Sequence, residues 1–322
     1  MGELLPTSYF HIVFTLPEQL RSICMGNRTL LFGILFDASH ETLTTLSADD
    51  KWLGAQCGIT SILHTNGQDL SFHPHVHCIV SGGGIDEHGK WIAEKRKNGK
   101  FIFPRPLLEQ TFRDLFLKKL QQLHRKQLLQ LVDETAFVNM VTVLQNMQWN
   151  VYAKAPFGGP EQIVDYLGNY THKVAITAQR ITEITKDSIT FNYKDYRDND
   201  KVKPMTLSHT EFIRRFEQHI LPKRFVKIRH AGFLTNRNKM SRIQSILTQL
   251  NLPNAMPKVK VPTTVLLLIT TGKDVTICPK CGTGKMVRIA TILNIKGQLV
   301  NIDELNRGSP TKLPKNSICK NL

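Results

Sequence analysis

The run from Phe72 to Val80, FHPHVHCIV, constrains the fold of this chain more than any other stretch. Three histidines alternate over five residues, and an apolar run follows the last of them. This pattern is typical of a buried strand, and the glycines at 82–84 predict a turn at its end. Residues two apart on a strand point to the same face, so His75 and His77 present two imidazoles side by side.

Pro74 limits where this strand begins. Proline cannot donate to a sheet ladder, so we expect the paired strand to begin at about His75 and His73 to lie outside it. Two neutral imidazoles held by a strand form a rigid half of a divalent-metal site. The sequence therefore predicts that His75 and His77, rather than His73, bind a metal ion.

The chain has 322 residues and a formal net charge of +16. That length is enough for one large domain or two ordinary ones. So large a positive charge favours an anionic partner, nucleic acid or an acidic membrane, although it can also serve solubility alone. The sequence has no run of about eighteen apolar residues that would span a membrane. The N-terminal residues lack the basic start and apolar core that are typical of a signal peptide, and the six scattered cysteines lead us to expect a reducing cytoplasm.

The remaining elements predict an α+β fold with an antiparallel sheet. A strand at 9–16, a helix at 18–46 and a strand at 58–65 precede the Asn66-Gly67 turn that leads into the histidine strand. We divide the chain into a core of 1–180, a basic α/β extension of 181–252 and a tail of 253–322. Further strands are predicted at 151–154, 174–177, 189–193, 203–207 and 265–269, and further helices at 106–132, 160–172, 208–219 and 238–250.

Tyr166 and Tyr170 form a second candidate group, because residues four apart share one face of a helix. Paired tyrosines at that spacing are more often part of a core. Beside a histidine pair in a basic chain, they become candidate nucleophiles toward a DNA phosphodiester. A phenol, with a pKa near 10, needs a metal-polarised electrophile and a stabilised phenolate. Lys173, His172 or the metal could provide that stabilisation, and the product would be a phosphotyrosyl link.

Four segments carry a resemblance to a known family: YFHIVFTLP at 9–17, HPHVHC at 73–78 with its three glycines, DYLGNYTHKVAI at 165–176 and IRHAGFL at 228–234. In these segments the chain resembles the two-tyrosine HUH transposases of the insertion-sequence 91 group, which act by rolling-circle transposition. The matches keep the family's order and spread over most of the chain.

The resemblance implies an antiparallel-sheet HUH nuclease domain with flanking helices. It implies metal-dependent nicking and strand transfer of single-stranded DNA at transposon ends and target, through a 5'-phosphotyrosine intermediate in the bacterial nucleoid. Carried over by position, His75 and His77 bind the metal, and Tyr166 and Tyr170 are the nucleophiles. Members of the group usually carry a cysteine-rich zinc module before the segment at 4–6, and we expect that module to be absent here.

The third metal ligand is open between Gln68 and His64. Gln68 is favoured because related nucleases place a Glu or Gln near that point. An oxygen ligand beside two imidazoles suits Mg²⁺ or Mn²⁺. Cys278 and Cys281 supply two of the four ligands that a structural zinc ion needs, so this turn is either half of a zinc knuckle or a plain β-turn.

Basic residues are the candidate DNA contacts, although each could also be an ordinary solvated charge. Two other functions remain open: a plasmid replication initiator or relaxase-like nickase, and a truncated DNA-binding remnant without transposition. The block at 229–232 favours the transposase. The candidate contacts are Lys95, Arg96, Lys97, Arg224, Lys227 and Arg229.

Overall fold

A computed structural model gives the fold. It describes residues 4–94, 102–154, 156–157, 162–163, 175–196, 198–235, 237–254, 261–286, 292–295 and 298–301. These residues fall into two compact units, Met1–Met256 and Pro257–Leu322. The predicted α+β class with antiparallel sheets is confirmed. Within the described ranges, no helix has the length and apolar character that crossing a membrane requires.

The central sheet has six strands, and every pairing in it is antiparallel. The strands are β1 (Tyr9–Thr15), β2 (Gln56–Asn66), β3 (Phe72–Ile85), β4 (Trp91–Ala93), β5 (Val151–Lys154) and β9 (Ile228–Gly232). Their order in the sheet is β5-β1-β3-β2-β9, and β4 pairs with the far end of β3. The histidine strand β3 therefore lies at the centre, held by β1 on one side and β2 on the other.

Helices cover one face of this sheet. Phe14, Val76 and Leu63 are aligned across β1, β3 and β2 and are buried in one core with the helical residues Phe36 and Phe112. Because side chains alternate along a strand, the residues between them point to the opposite face, which carries the histidines. We call it the histidine face. The helices are α1 (Arg21–Gly26), α2 (Arg28–Ala48), α3 (Arg105–Arg125) and α4 (Glu134–Asn146).

Two helical predictions need correction. The helix predicted at 18–46 is interrupted at Asn27, whose side-chain amide donates to the Gln130 carbonyl and whose oxygen accepts from the Gln130 N–H. The helix predicted at 106–132 ends at Arg125. A separate helix, α4, follows it, and Asp133 caps the start of that helix by accepting from Thr135 and Ala136. Capping by a single aspartate was not recognised in the sequence.

The expected start of the histidine strand is wrong. β3 begins at Phe72, because His64 pairs with His75 and Asn66 pairs with Phe72, so that His73 and Pro74 lie opposite the single residue Thr65. Such a bulge leaves one residue of the longer strand without a ladder partner. Pro74 therefore fits there without breaking the ladder, and its carbonyl accepts from the Leu16 N–H at 3.0 Å.

The turn predicted at residues 82–84 is also wrong, because β3 continues through the three glycines to Ile85. A Cβ atom added at Gly84 would lie 2.6 Å from the Gln56 carbonyl oxygen, and one added at Gly83 would collide with the Trp91 ring. The glycines therefore allow neighbouring strands to approach closely rather than reversing the chain.

A second, three-stranded antiparallel sheet contains β6 (Ile181–Ile184), β7 (Ser188–Asp195) and β8 (Lys201–Ser208). Helix α5 (His209–Glu217) follows, with the predicted cap at Ser208, which accepts from the Glu211 N–H. The strand predicted at 174–177 is wrong for its described part, since residues 175–177 are not in a strand. Residue 174 and most of the helix predicted at 160–172 lie outside the described residues.

The strand predicted at 265–269 is a helix, α7 (Thr263–Thr271), in the second compact unit. A short apolar run has no periodicity that separates strand from helix, and here leucines and a left-handed Gly272 (φ 68°) after the last turn favour the helix. The other elements are α6 (Lys239–Gln249), β10 (Ile292–Ile295) and β11 (Gln298–Asn301).

Candidate metal centre

Three histidines meet on the histidine face. The β2–β3 register places His64 directly opposite His75, and His77 follows two residues later on the same face. One ring nitrogen from each of the three lies within 4.8 Å of the others. The ring centroid of His77 lies 4.5 Å from that of His64 and 4.8 Å from that of His75. The predicted pair is thus joined by His64, the less favoured of the two candidates for third ligand.

Gln68 lies in the turn between β2 and β3 and lines the same cleft as the histidines. Its side-chain amide donates to the Tyr196 hydroxyl at 3.3 Å, and its main-chain carbonyl accepts from the Arg180 guanidinium. The structure therefore pairs the Gln68 amide with the second sheet, whereas His64 stands beside the predicted ligands. Metal binding by Gln68 stays a prediction.

Hydrogen bonds orient two of the imidazoles. The Nδ1 atom of His75 lies 2.7 Å from the carbonyl oxygen of His73 and donates to it. The Nδ1 atom of His77 lies 2.9 Å from the Nε2 atom of His11 on β1. Metal-binding histidines ordinarily use their second ring nitrogen in a bond of this kind. In both residues Nε2 is then the nitrogen available to a cation.

The environment keeps these rings neutral. Burial lowers the pKa of His75 to about 3, and the proximity of His64 adds to the effect. Burial also lowers the pKa of His77, followed by the effects of His75 and His64. Burial lowers the pKa of His11 to about 4, and the positive charge of Lys154 contributes. Because a metal binds the neutral imidazole, His75 and His77 have the protonation state that binding a divalent cation requires.

The histidines open into a cleft of about 1550 Å³ between the central and second sheets. Drug-sized ligands occupy pockets of roughly 300–1,000 Å³, so this space suits a larger substrate. Its lining combines cationic and aromatic side chains, which include Arg21, Arg180, Tyr193, Lys194, Tyr196 and Lys227.

The β2–β3 turn holds the second sheet in place. Leu70, with a φ of 60°, is fully buried in a cluster with Ala175, Ile176 and Phe191. Arg215 donates to the Asp69 carbonyl at 3.0 Å. His219 donates from Nε2 to the Leu70 carbonyl at 3.1 Å. The turn that leads into the histidine strand therefore also holds the elements that form one wall of the cleft.

The candidate DNA contacts have different surroundings. Arg229 lies on the helix side of the sheet, with its guanidinium 4.4 Å from the Phe36 ring centroid and 5.3 Å from that of Phe225. Lys227 lines the cleft, and burial lowers its pKa. Arg224 is exposed, whereas Lys95, Arg96 and Lys97 lie outside the described residues. DNA contact by these six residues stays a prediction.

Tyr166, Tyr170 and Lys173 also lie outside the described residues. The described residues closest before them in the chain lie on the histidine face. Ile163 is 1% exposed and packs with Tyr9 and Ile79, and Ile79 is two residues beyond His77. The chain is thus anchored on this face three residues before Tyr166.

Cys278 and Cys281 lie in a tight turn of the second unit. Gly282 donates to the Cys278 carbonyl at 2.9 Å, and Gly284 donates to the Cys281 sulfur at 3.3 Å. Backbone hydrogen bonds from Thr283 and Gly284, and then the Cys278 side chain, lower the pKa of Cys281 to about 7. The turn thus favours a thiolate, and zinc binding there stays a prediction.

Sequence relatives place the chain among the transposases. It is 41% identical over 307 residues to "Putative transposase y4qJ" of Sinorhizobium fredii, covering 92% of this chain and 76% of the relative. It is 30% identical over 300 residues to "Transposase for insertion sequence element IS801" of Pseudomonas savastanoi pv. phaseolicola, covering 91% and 70%. Residues 58–242 match the family model Y2_Tnp, described as "Putative transposase". The chain therefore belongs to the Y2 transposase family.

The chain also matches a solved structure, "The structure of TrwC complexed with a 27-mer DNA comprising the recognition hairpin and the cleavage site". It covers 76% of this chain and 74% of the TrwC chain, at 12% identity and a TM-score of 0.29.

The sequence did not reveal His11 as part of the site. It lies in the otherwise apolar strand β1, diagonally across from His77, since Val13 pairs with His77 and His11 with Ile79. The alternation of side chains along β1 could have revealed it. His11 alternates with the residues of β1 that face the helices, which places it on the opposite face.

Proposed function

We propose that this transposase nicks and rejoins single-stranded DNA with a tyrosine nucleophile and a divalent cation held by His64, His75 and His77. The convergence of three imidazoles in a large cleft is the observation that carries the proposal. The net charge of +16 favours an anionic polymer as substrate.

The donor set bears on the choice of metal. Mg²⁺ prefers oxygen ligands, whereas imidazole suits transition-metal cations. Of the two predicted ions, three imidazoles therefore favour Mn²⁺ over Mg²⁺. A cation held by these histidines would act as a Lewis acid on a phosphodiester oxygen and would stabilise negative charge on the phosphoryl oxygens.

The proposed nucleophile is the hydroxyl of Tyr166 or Tyr170. Its oxygen forms a bond to the phosphorus as the bond from phosphorus to the 3'-oxygen breaks, which leaves a 5'-phosphotyrosine and a free 3'-hydroxyl. The phenol proton is released to water, and the departing 3'-oxygen takes up a proton. Lys173 stabilises the phenolate. A second DNA 3'-hydroxyl then attacks the phosphotyrosine, restores the phenol and completes strand transfer, so no ATP is needed.

Chain geometry supports this assignment. The buried Ile163 is three residues before Tyr166 in the chain, and three residues span at most about 11 Å between Cα atoms. Ile163 packs on Ile79, which follows His77 on the same strand face. Two tyrosines on one helix face would supply one nucleophile for each strand end.

The test uses a labelled single-stranded oligonucleotide carrying an element terminus, incubated with the full chain and Mn²⁺. We expect a covalent protein–DNA adduct on denaturing gels, and none from the Tyr166→Phe/Tyr170→Phe double variant. Tyr152→Phe is the matched control, because Tyr152 is 49% exposed on β5 and should be dispensable for the adduct.

Three outcomes separate the candidate functions. An adduct that persists in the double variant would overturn the tyrosine assignment. Binding without an adduct for any terminus sequence would identify a DNA-binding remnant. Cleavage confined to one strand of a plasmid origin, without joining to a second end, would favour the replication initiator or relaxase-like nickase.

A further inference from the structure

We propose that His11 is a positioning residue that sets the ring orientation and the tautomer of His77 at the candidate metal centre. The inference rests on the proposed metal-binding role of His77. His11 does not join the cluster of His64, His75 and His77 as a ligand, because its Nε2 atom is directed at His77 Nδ1.

The geometry is that of a hydrogen bond between two imidazole edges. The Nε2 atom of His11 and the Nδ1 atom of His77 are 2.9 Å apart, and the two ring planes are within 8° of parallel. Both side chains are buried, with 6% exposure for His11 and 9% for His77. Adjacent strands β1 and β3 hold them in this arrangement, so little rotation is open to either ring.

Only one tautomer of this pair leaves His77 able to bind a cation through Nε2. A neutral imidazole has one protonated and one unprotonated nitrogen. If His77 carries its proton on Nδ1, it donates to His11 and its Nε2 atom is unprotonated, as metal binding requires. If His11 donates instead, the His77 proton must sit on Nε2, where it blocks the cation. His11 therefore has to be protonated on Nδ1 and to accept at Nε2.

His77 depends on a side chain in a way that His75 does not. The Nδ1 atom of His75 donates to the main-chain carbonyl of His73, which remains whatever side chain is changed. The corresponding partner of His77 is the His11 ring, and one substitution removes it. The hydrogen-bond partners of metal-binding histidines typically contribute about 10- to 100-fold to metal affinity. His11 is therefore a position where affinity can be changed without touching a ligand.

The experiment measures Mn²⁺ and Co²⁺ binding to the full chain by calorimetry, without DNA. His11→Leu removes the acceptor, and we expect about 10- to 100-fold weaker binding. His11→Gln can place an amide oxygen where Nε2 was, and we expect affinity close to wild type. The matched control is His40→Leu, because His40 is partly buried and bonds to Ser61 on the helix side of the sheet. This control should bind the metal normally.

A spectroscopic readout tests the tautomer directly. In nitrogen–proton correlation spectra of the metal-free chain, His77 should be protonated on Nδ1 in wild type and in His11→Gln, and mixed in His11→Leu. Thermal melts check that each variant is folded.

The inference is overturned if folded His11→Leu binds metal like wild type, if His11→Gln is as weak as His11→Leu, or if wild-type His77 carries its proton on Nε2. A wild-type chain that binds neither ion overturns the metal centre together with this inference. Normal metal binding without a DNA adduct overturns only the proposed function and leaves the role of His11 standing.

Discussion

Replacing His64 tests whether the third metal ligand comes from β2. The structure places one His64 ring nitrogen within 4.8 Å of those of His75 and His77, whereas the Gln68 amide bonds to Tyr196. We expect His64→Ala to weaken Mn²⁺ binding strongly and Gln68→Ala to leave it nearly unchanged. The pair is matched, because both substitutions remove a polar side chain that lines the same cleft.

The size of the effect follows from the number of ligands. Four-ligand zinc sites bind with about 10–16 kcal/mol, so each protein ligand contributes roughly 2.5–4 kcal/mol. Manganese sites are weaker, and water replaces the lost imidazole, so we expect His64→Ala to reduce the binding free energy of Mn²⁺ by about 2–3 kcal/mol. At 1.4 kcal/mol for each factor of ten, this corresponds to about 30- to 140-fold weaker binding.

Calorimetric titration of the metal-free chain with Mn²⁺ measures this difference, with thermal melts to confirm folding. The reasoning from sheet register is refuted if folded His64→Ala binds Mn²⁺ as tightly as wild type. A loss in Gln68→Ala instead would show that the turn rearranges around the metal and that the amide–Tyr196 bond is broken in the bound state.

Three further predictions concern stability. Burial, then Arg229 and His230, lower the pKa of His40 to about 4, so the folded protein resists protonation that the unfolded chain accepts below pH 6.5. The free energy of unfolding is therefore highest above pH 6.5 and falls by up to about 2 kcal/mol between pH 7 and pH 5. His40→Gln should remove that share of the pH dependence in urea unfolding. Leu70→Ala should cost about 2–5 kcal/mol in the same assay and raise amide exchange in β7, because Leu70 joins the β2–β3 turn to the second sheet; unchanged exchange there would contradict this role. Gly84→Ala should lower stability by about 1–3 kcal/mol, since its Cβ meets the Gln56 carbonyl, whereas Gly33→Ala, with nothing within 4 Å, should not destabilise; equal melting of the two variants would exclude a packing role for Gly84.

The sequence predicted local structure better than it predicted pairing. Alternation identified the strand of His75 and His77 and placed both side chains on one face, and both points hold in the structure. The strand's ends were wrong, because the effects of Pro74 and of Gly82–Gly84 depend on neighbouring strands. Pro74 sits in a bulge and Gly84 lies against Gln56, and neither relation can be inferred from local sequence.

The same limit explains why His64 was ranked below Gln68. Gln68 was favoured by analogy with related nucleases, whereas the relation of His64 to His75 is a matter of register. The register follows from the bulge at His73 and Pro74, opposite Thr65, that local propensity does not reveal. His11 lies on a strand 66 residues before His77 in the chain, so no short motif joins the two.

The candidate metal centre and the core are consequences of the same strand register. Phe14, Val76 and Leu63 form one buried row toward the helices, while residues of the alternate parity supply the imidazoles. The central strand provides two of these imidazoles, β2 provides the third, and β1 provides the partner of His77. A slip of one residue would turn an entire strand over, exposing its apolar row and burying its histidines against the helices. The hydrophobic energy that selects the register therefore also assembles the site, so a substitution that weakens the apolar row without unfolding the chain should lower metal affinity as well as stability.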